Sequence, residues 1–264
     1  MTQPYNFDRV AEIYDATRGF TPEVEGQIAR GLASTLREST VDPMVLEVGV
    51  GTGRIAAPLA ELGLRVVGTD ISRAMLARLR SKCRDIHVVL ADASRPPFRA
   101  ASFDAALYVH VLHLLPEPDR SLEATLGVLR PGGMILACHH EYEPSVISHA
   151  GELIQQTIAD VTGITTRIQG RHANLMKRFS AWVQAHGGTV ERREFAHWAE
   201  RASAASLLSE LRNKTRSYTW SIPDPAIPGL VEVLTPRVAA LFGGIDVVIE
   251  ARASFVCAVG RFPV

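Results

Sequence analysis

Residues 45–54 read VLEVGVGTGR: an apolar run breaks into three glycines at alternate positions, Gly49, Gly51 and Gly53, with Glu47 two places before the first. A β-rich run that ends in glycine marks a sharp turn where a ligand can press on bare main chain. Further polar groups follow at later strand ends: Asp70 in VVGTD, Asp92 in LADAS, His110 and His113 in YVHVLHLL, and the run His139, His140, Glu141. In an open parallel sheet, ligands bind above the carboxyl ends of the strands, and an acid ending the second strand accepts from ribose hydroxyls. An acid ending the third can accept from the exocyclic amine of adenine. The set points to a nucleoside-bearing cofactor.

A dinucleotide is one reading, because NAD enzymes share this turn and a lone glycine-rich turn is weak evidence. The spacing is G-x-G-x-G followed by Arg54 and Ile55, so the next helix is expected to start without the third glycine of a pyrophosphate site, the one used for tight packing. Glu47 lies at the inward end of the first strand. A buried acid is costly unless paired, and a cationic cofactor tail would supply the partner. His110, His113, His139, His140 and Glu141 are the candidates for a general base, of which at most one or two act. The CHHE run is not expected to hold a metal, since adjacent strand residues face opposite ways and no helical HxxxH joins them.

Regular elements must position these groups. Thr21 and Pro22 open a helix with Val24, Ile28 and Leu32 at helical spacing. MVLEVG, LRVVGTD, IHVVLAD, FDAALYVHVLHLL and MILACHH read as five strands. Between them fall RIAAPLAELG, the Ser72-capped RAMLARLRSK, and DRSLEATLGVLR, stopped by Pro131-Gly132-Gly133. This alternation predicts a doubly wound, Rossmann-like α/β sheet, mostly parallel. After His140 come helical stretches, an alternating strand in TVERREFAHWAERA, more helix, and a long closing strand in DVVIEARASFVCAVGRF. An antiparallel final strand and a helical cap are expected. The division is a helical lid over 1–40, a core of 41–140 completed by 187–200 and 246–262, and a cap from 141–186 and 201–245 over the substrate site.

VLEVGVGTGR, VVGTDIS, LADASRPPF, FDAALYVHVLHLLP and VLRPGGMIL, in that order, resemble the successive motifs of class I S-adenosylmethionine-dependent methyltransferases, especially the ubiquinone/menaquinone-biosynthesis-like branch. The resemblance covers roughly 40–140 plus the closing strand, and YDATRGFTPE looks like that branch's leader region. It implies that Gly49, Gly51 and Gly53 pass the methionine and ribose, with Glu47 near the amino group. Asp70 would hold the ribose, Ile71 pack on adenine, Asp92 bind adenine N6 and Ala93 lie beside the ring. Val109 or His110 would contact the methionine tail through backbone. Met75 reads as core or cofactor wall. Tyr14 and Arg18 are candidates for the cofactor carboxylate, since arginine clamps a carboxylate with two parallel hydrogen bonds. His113, His172, Tyr218 and Trp220 are candidates for a substrate pocket.

With 28 basic and 28 acidic residues among 264, the net charge is zero, which speaks against nucleic acid or a membrane surface as partner and towards a small molecule. No Asn/Asp-Pro-Pro-Tyr follows the fourth strand, and Cys83, Cys138 and Cys257 are scattered, as buried thiols of a reducing compartment are. No basic leader and no stretch of about 20 apolar residues is found, so a soluble, cytoplasmic chain is expected. The implied activity is O-, N- or C-methylation of a small molecule, with S-adenosyl-L-homocysteine as product. Two alternatives stand beside it: a nicotinamide-dependent oxidoreductase, and a non-catalytic module that binds S-adenosylmethionine.

Overall fold

The computed structural model describes Asp8, Ala11, 20–164 and 171–264, with side chains omitted at 171–173 and 217. In chain order the elements are α1 (Pro22–Leu36), β1 (Met44–Val48), α2 (Ala56–Glu61), β2 (Arg65–Asp70), α3 (Arg73–Lys82), β3 (His87–Leu90), β4 (Phe103–Val109) and α4 (Pro118–Leu126). Then follow β5 (Leu129–Tyr142), α5 (Val146–Thr162), α6 (Arg171–Ala185), β6 (Thr189–Ala202), α7 (Ala204–Arg212), α8 (Ile227–Phe242) and β7 (Ile249–Arg261). The capping signals act as read: Thr21 Oγ1 accepts from the Val24 N–H, and Ser72 Oγ from that of Met75.

One seven-stranded sheet has the order β3-β2-β1-β4-β5-β7-β6. β1 through β5 are parallel. β7 runs antiparallel to β5, since the Gly132 N–H bonds the Pro263 carbonyl at one end and the Glu143 N–H that of Arg252 at the other. The order reverses between β1 and β4, which opens a crevice at their carboxyl ends, the usual ligand position in such sheets.

Two elements differ from the sequence reading. The fourth strand stops at Val109, because His110 takes a positive φ of 54° and Leu112–Leu114 form a 3₁₀ turn. Pro131-Gly132-Gly133 does not stop the helix. α4 has ended at Leu126, and the tripeptide lies inside β5, where the β4–β5 register slips between Phe103 and Ala105. Gly132, at φ +76°, absorbs that bulge.

The chain divides into two compact units: 1–140 with 172–196 and 255–264, and 141–171 with 197–254. In the first, one face of the sheet places Leu46, Val48, Ala106, Tyr108, Ile135 and Ala137 against Leu122 of α4 and Phe179, Trp182 and Val183 of α6. Each Leu, Ile, Val or Phe side chain so taken from water stabilises by about 1.5–3 kcal/mol. Helix α6, read as part of the cap, therefore belongs with the sheet; its apolar stripe is what holds it there. α1 lies against β6 so closely that a Cβ on Gly31 would come 2.5 Å from Phe195 Cδ1. Glu38, just past α1, pairs with Arg193 of β6 and Arg261 of β7.

The second unit has its own core of Ile154 and Ile158 from α5, Leu208 and Leu211 from α7, and Leu230, Leu234 and Val238 from α8. The run Asp224–Phe242, 19 residues, is long and apolar enough by composition to cross a membrane, which the sequence reading did not pick out. Its buried face is that core.

Candidate functional site

The three glycines of the β1–α2 corner serve three purposes. The Gly49 and Val50 N–H groups both bond the Thr69 carbonyl, at 2.8 and 2.9 Å, which ties the loop to the end of β2. A Cβ on Gly49 would meet Val111 Cγ2 at 2.5 Å. Gly53 meets Leu79 of α3: a Cβ there would lie 2.1 Å from Leu79 Cδ1. So the close helix packing that the spacing was expected to lack is supplied by Gly53. Gly51, at φ +56°, is different, because a Cβ on it would meet no described residue within 4 Å. It faces open space.

That space is a cavity of about 180 Å³. Gly49, Gly51, Asp70, Ile71, Met75, Asp92, Ala93, Val109 and His110 line it, so most of the predicted cofactor residues converge there. Asp70 Oδ2 accepts from the Gly51 N–H and Oδ1 from that of Ser72, both at 2.8 Å. Each carboxylate oxygen can take a further donor. Burial raises the Asp70 pKa, the Ser72, Gly51 and Ile71 amides oppose this, and repulsion from Asp8 adds to it. Ile71 is 42% exposed, an apolar side chain turned to the cavity. Asp92 is exposed and its Oδ1 accepts from both the Ser94 N–H and the Ser94 hydroxyl, the geometry of a local turn.

Glu47 is buried and is not among the described lining residues. It is 3% exposed, its Oε2 has no hydrogen-bond partner among the described residues, and its carboxyl accepts from the Ala56 N–H and feels the field of Arg54. Burial pushes its pKa up to about 8, Arg54 opposing and Asp70 assisting. Tyr14 and Arg18 lie outside the described residues.

Among the catalytic candidates the structure brings two together. His110, at the cavity edge, meets His140 ring to ring at 4.1 Å and 76°. Phe20 stands 5.2 Å from His140, and Phe255 is 6.0 Å from both histidines. Alternation along β5 turns His139 to the opposite face, where it is buried, and Glu141 is exposed. His113 sits half-buried in the 3₁₀ turn and is not among the lining residues. Among the described residues no cluster suits a metal.

Of the predicted substrate residues, His172 falls in the first turn of α6 with its side chain outside the described set. In the second unit Tyr218 packs on the core, and Trp220 Nε1 donates to the Lys214 carbonyl at 2.9 Å. Sequence reasoning missed Phe20 and Phe255, which meet His140 only across the fold, and the wall formed by Val111 and Leu114–Glu117. It also missed Ser121, whose hydroxyl donates to the Ala93 carbonyl at 3.1 Å while Tyr108 Oη, buried, bonds Ser121 and Thr125 from behind. Burial raises the Tyr108 pKa to about 12.

Residues 46–137 match the family model described as a methyltransferase domain. A demethylmenaquinone methyltransferase of Clavibacter sepedonicus is 29% identical over 215 residues, covering 79% of this chain and 84% of its own. Another, of Paenarthrobacter aurescens, is 32% identical over 49% of this chain, a match that spans about half (51%) of that relative's length. Among solved structures, a Bacillus halodurans protein assigned as a methyltransferase superposes with a TM-score of 0.57 at 15% identity, covering 88% of this chain and 99% of that one. The [4+2]-cyclase SpnF superposes at 0.54 with 19% identity over 100% and 98%.

Sheet order, glycine corner and family match together define a class I S-adenosylmethionine-dependent methyltransferase. Its curated relatives, the two demethylmenaquinone methyltransferases, liken the matched stretch to the ubiquinone/menaquinone-like branch. The residues present suit the cofactor: space over Gly51 among the described residues, and unused acceptor capacity on Asp70; Glu47, buried away from the lining, does not reach it.

Proposed function

We propose that this enzyme methylates a small, partly apolar ring compound, with a reduced quinone as the first acceptor to test. The observation that carries this reading is the juxtaposition of a cavity bounded by Asp70 and Asp92 with His110 at its edge, backed by His140 and Phe255. The quinone comes from what the relatives are named for. When bound, the cofactor supplies an electrophilic methyl on a sulfonium. The chain supplies position. The glycine corner and Asp70 hold the nucleoside end, Ile71, Met75 and Ala93 flank the base, and Asp92 accepts from it. Holding two reactants in line is worth about 7–11 kcal/mol of barrier. His110 is the side chain placed to take a proton at a ring nitrogen from an acceptor that is protonated at working pH.

Incubation with methyl-labelled S-adenosylmethionine and a reduced demethylated naphthoquinone tests the reading. Label in the quinol supports it. Label only in another member of a metabolite extract replaces the acceptor. Binding of S-adenosylhomocysteine with no transfer to any acceptor returns the non-catalytic module, and binding of NADH instead returns the oxidoreductase.

A further inference from the structure

The cavity wall made by Asp70, Ile71 and Met75 is braced by a residue far away in the chain. Ser72 sits within that wall, is 1% exposed, and does not itself line the cavity. Its hydroxyl accepts from the Met75 N–H at 3.1 Å and donates to Asp8 Oδ1 at 2.5 Å. The same Asp8 oxygen accepts from the Ala74 N–H at 3.2 Å. The Ser72 N–H in turn donates to Asp70, whose other oxygen takes the Gly51 N–H. An unbroken series of hydrogen bonds thus runs Asp8–Ser72–Asp70–Gly51.

A capping serine needs only a lone pair, so its hydroxyl proton is otherwise free to rotate. Asp8 takes that proton in a charge-assisted bond, which directs the lone pair at Met75. Its carboxylate also occupies the first turn of the ten-residue α3, where the helix dipole favours negative charge. Capping by Ser72 alone would hold the helix. The second acceptor fixes the orientation of the turn in front of it.

We propose that Asp8 is a positioning residue of the cofactor site, acting through Ser72 to hold the Asp70 carboxylate and the Ile71–Met75 turn in the arrangement that accepts adenosine. This rests on the functional reading above. It concerns the chain's own residues and is read out by binding as well as by turnover.

The test is calorimetric titration of S-adenosylhomocysteine into the full chain and its Asp8→Ala, Asp8→Asn, Ser72→Ala and Asp8→Ala/Ser72→Ala variants, with urea midpoints for each. Asp8→Ala is expected to weaken binding about tenfold, the scale of one charge-assisted hydrogen bond lost behind a ligand group. Asp8→Asn, which keeps an acceptor oxygen, should restore most of it. The double variant should bind within about twofold of Ser72→Ala, since residues acting in series are not additive. KM for S-adenosylmethionine should rise with kcat at saturation unchanged. Wild-type affinity in Asp8→Ala, additive losses, or a fall in kcat alone each overturns the proposal. Should Asp8→Ala lower the urea midpoint, amide exchange at Ala74 and Met75 in Asp8→Asn decides: protection at wild-type level with weak binding overturns it too. A wild-type chain that binds no S-adenosylhomocysteine overturns the functional reading itself; a wild-type chain that binds, with variants equal to it, overturns only this proposal.

Discussion

The Gly51 N–H donates to Asp70 Oδ2 at 2.8 Å, so the bare corner of the first βα turn and the acid ending the second strand are one hydrogen-bonded unit. Changes at Asp70 therefore act twice, on the ligand and on the loop. Asp70→Asn keeps one acceptor oxygen and turns the other into a donor facing an N–H. S-adenosylhomocysteine affinity should fall by about 1–3 kcal/mol. Asp70→Ala should cost more and also lower the urea midpoint, because the Gly51 and Ser72 amides lose their partner. Calorimetry with parallel unfolding curves checks both; undiminished affinity in Asp70→Asn would remove the ribose assignment.

Two glycines separate binding from folding. Gly51→Val places a side chain in open space, so the chain should fold at a cost of about 1–3 kcal/mol for the positive φ while binding disappears. Gly53→Ala drives a methyl into Leu79, and overpacking there should cost about 1–3 kcal/mol on top of the same backbone strain. Unfolding midpoints and titrations of the two variants should therefore show opposite profiles. Retained binding in Gly51→Val would mean that the cavity is not the cofactor site.

Glu47 gives a pH signature. With a folded pKa near 8 against an unfolded value near 4.5, the folded chain holds the extra proton between those limits. Stability from this group is thus greatest below about pH 4.5 and declines as pH rises to about 8, by up to about 1.4 kcal/mol per unit. Glu47→Gln lacks the titration. Its stability relative to the wild type should rise between pH 5.5 and pH 8 in cofactor-free urea unfolding. A constant difference across that range would show that the carboxyl titrates normally.

His110 is the residue whose loss should touch chemistry rather than binding. Asn tolerates a positive φ, so His110→Asn preserves the corner at the end of β4. If the ring serves as base, kcat falls about 100-fold or more while S-adenosylhomocysteine affinity stays within about threefold. An unchanged kcat would leave catalysis to positioning alone.

Much of the first unit was legible because its signals are local. Ser72 and Thr21 are caps by chemistry, strand period and helix period alternate from Met44 to His140, and the acids at 70 and 92 stand at strand ends. The misreadings share one cause, since each depended on a neighbour distant in sequence. Pro131-Gly132-Gly133 looked like a helix stop, yet pairing of β5 with β4 draws it into a strand as a bulge. Helix α6 looked like cap, yet Phe179, Trp182 and Val183 match an apolar face of the sheet. His110 follows the end of β4 and His140 lies on β5, and only the β4–β5 register brings their rings together.

By itself, then, the sequence determined the order of elements, the glycine corner and the acids that a nucleoside needs, because capping, periodicity and turn chemistry act over a few residues. Tertiary structure alone decided which histidines meet, which glycine opens onto the cavity and which faces Leu79, and that Asp8 reaches α3. Those outcomes depend on strand register and side-chain packing, which join residues that the chain itself keeps far apart.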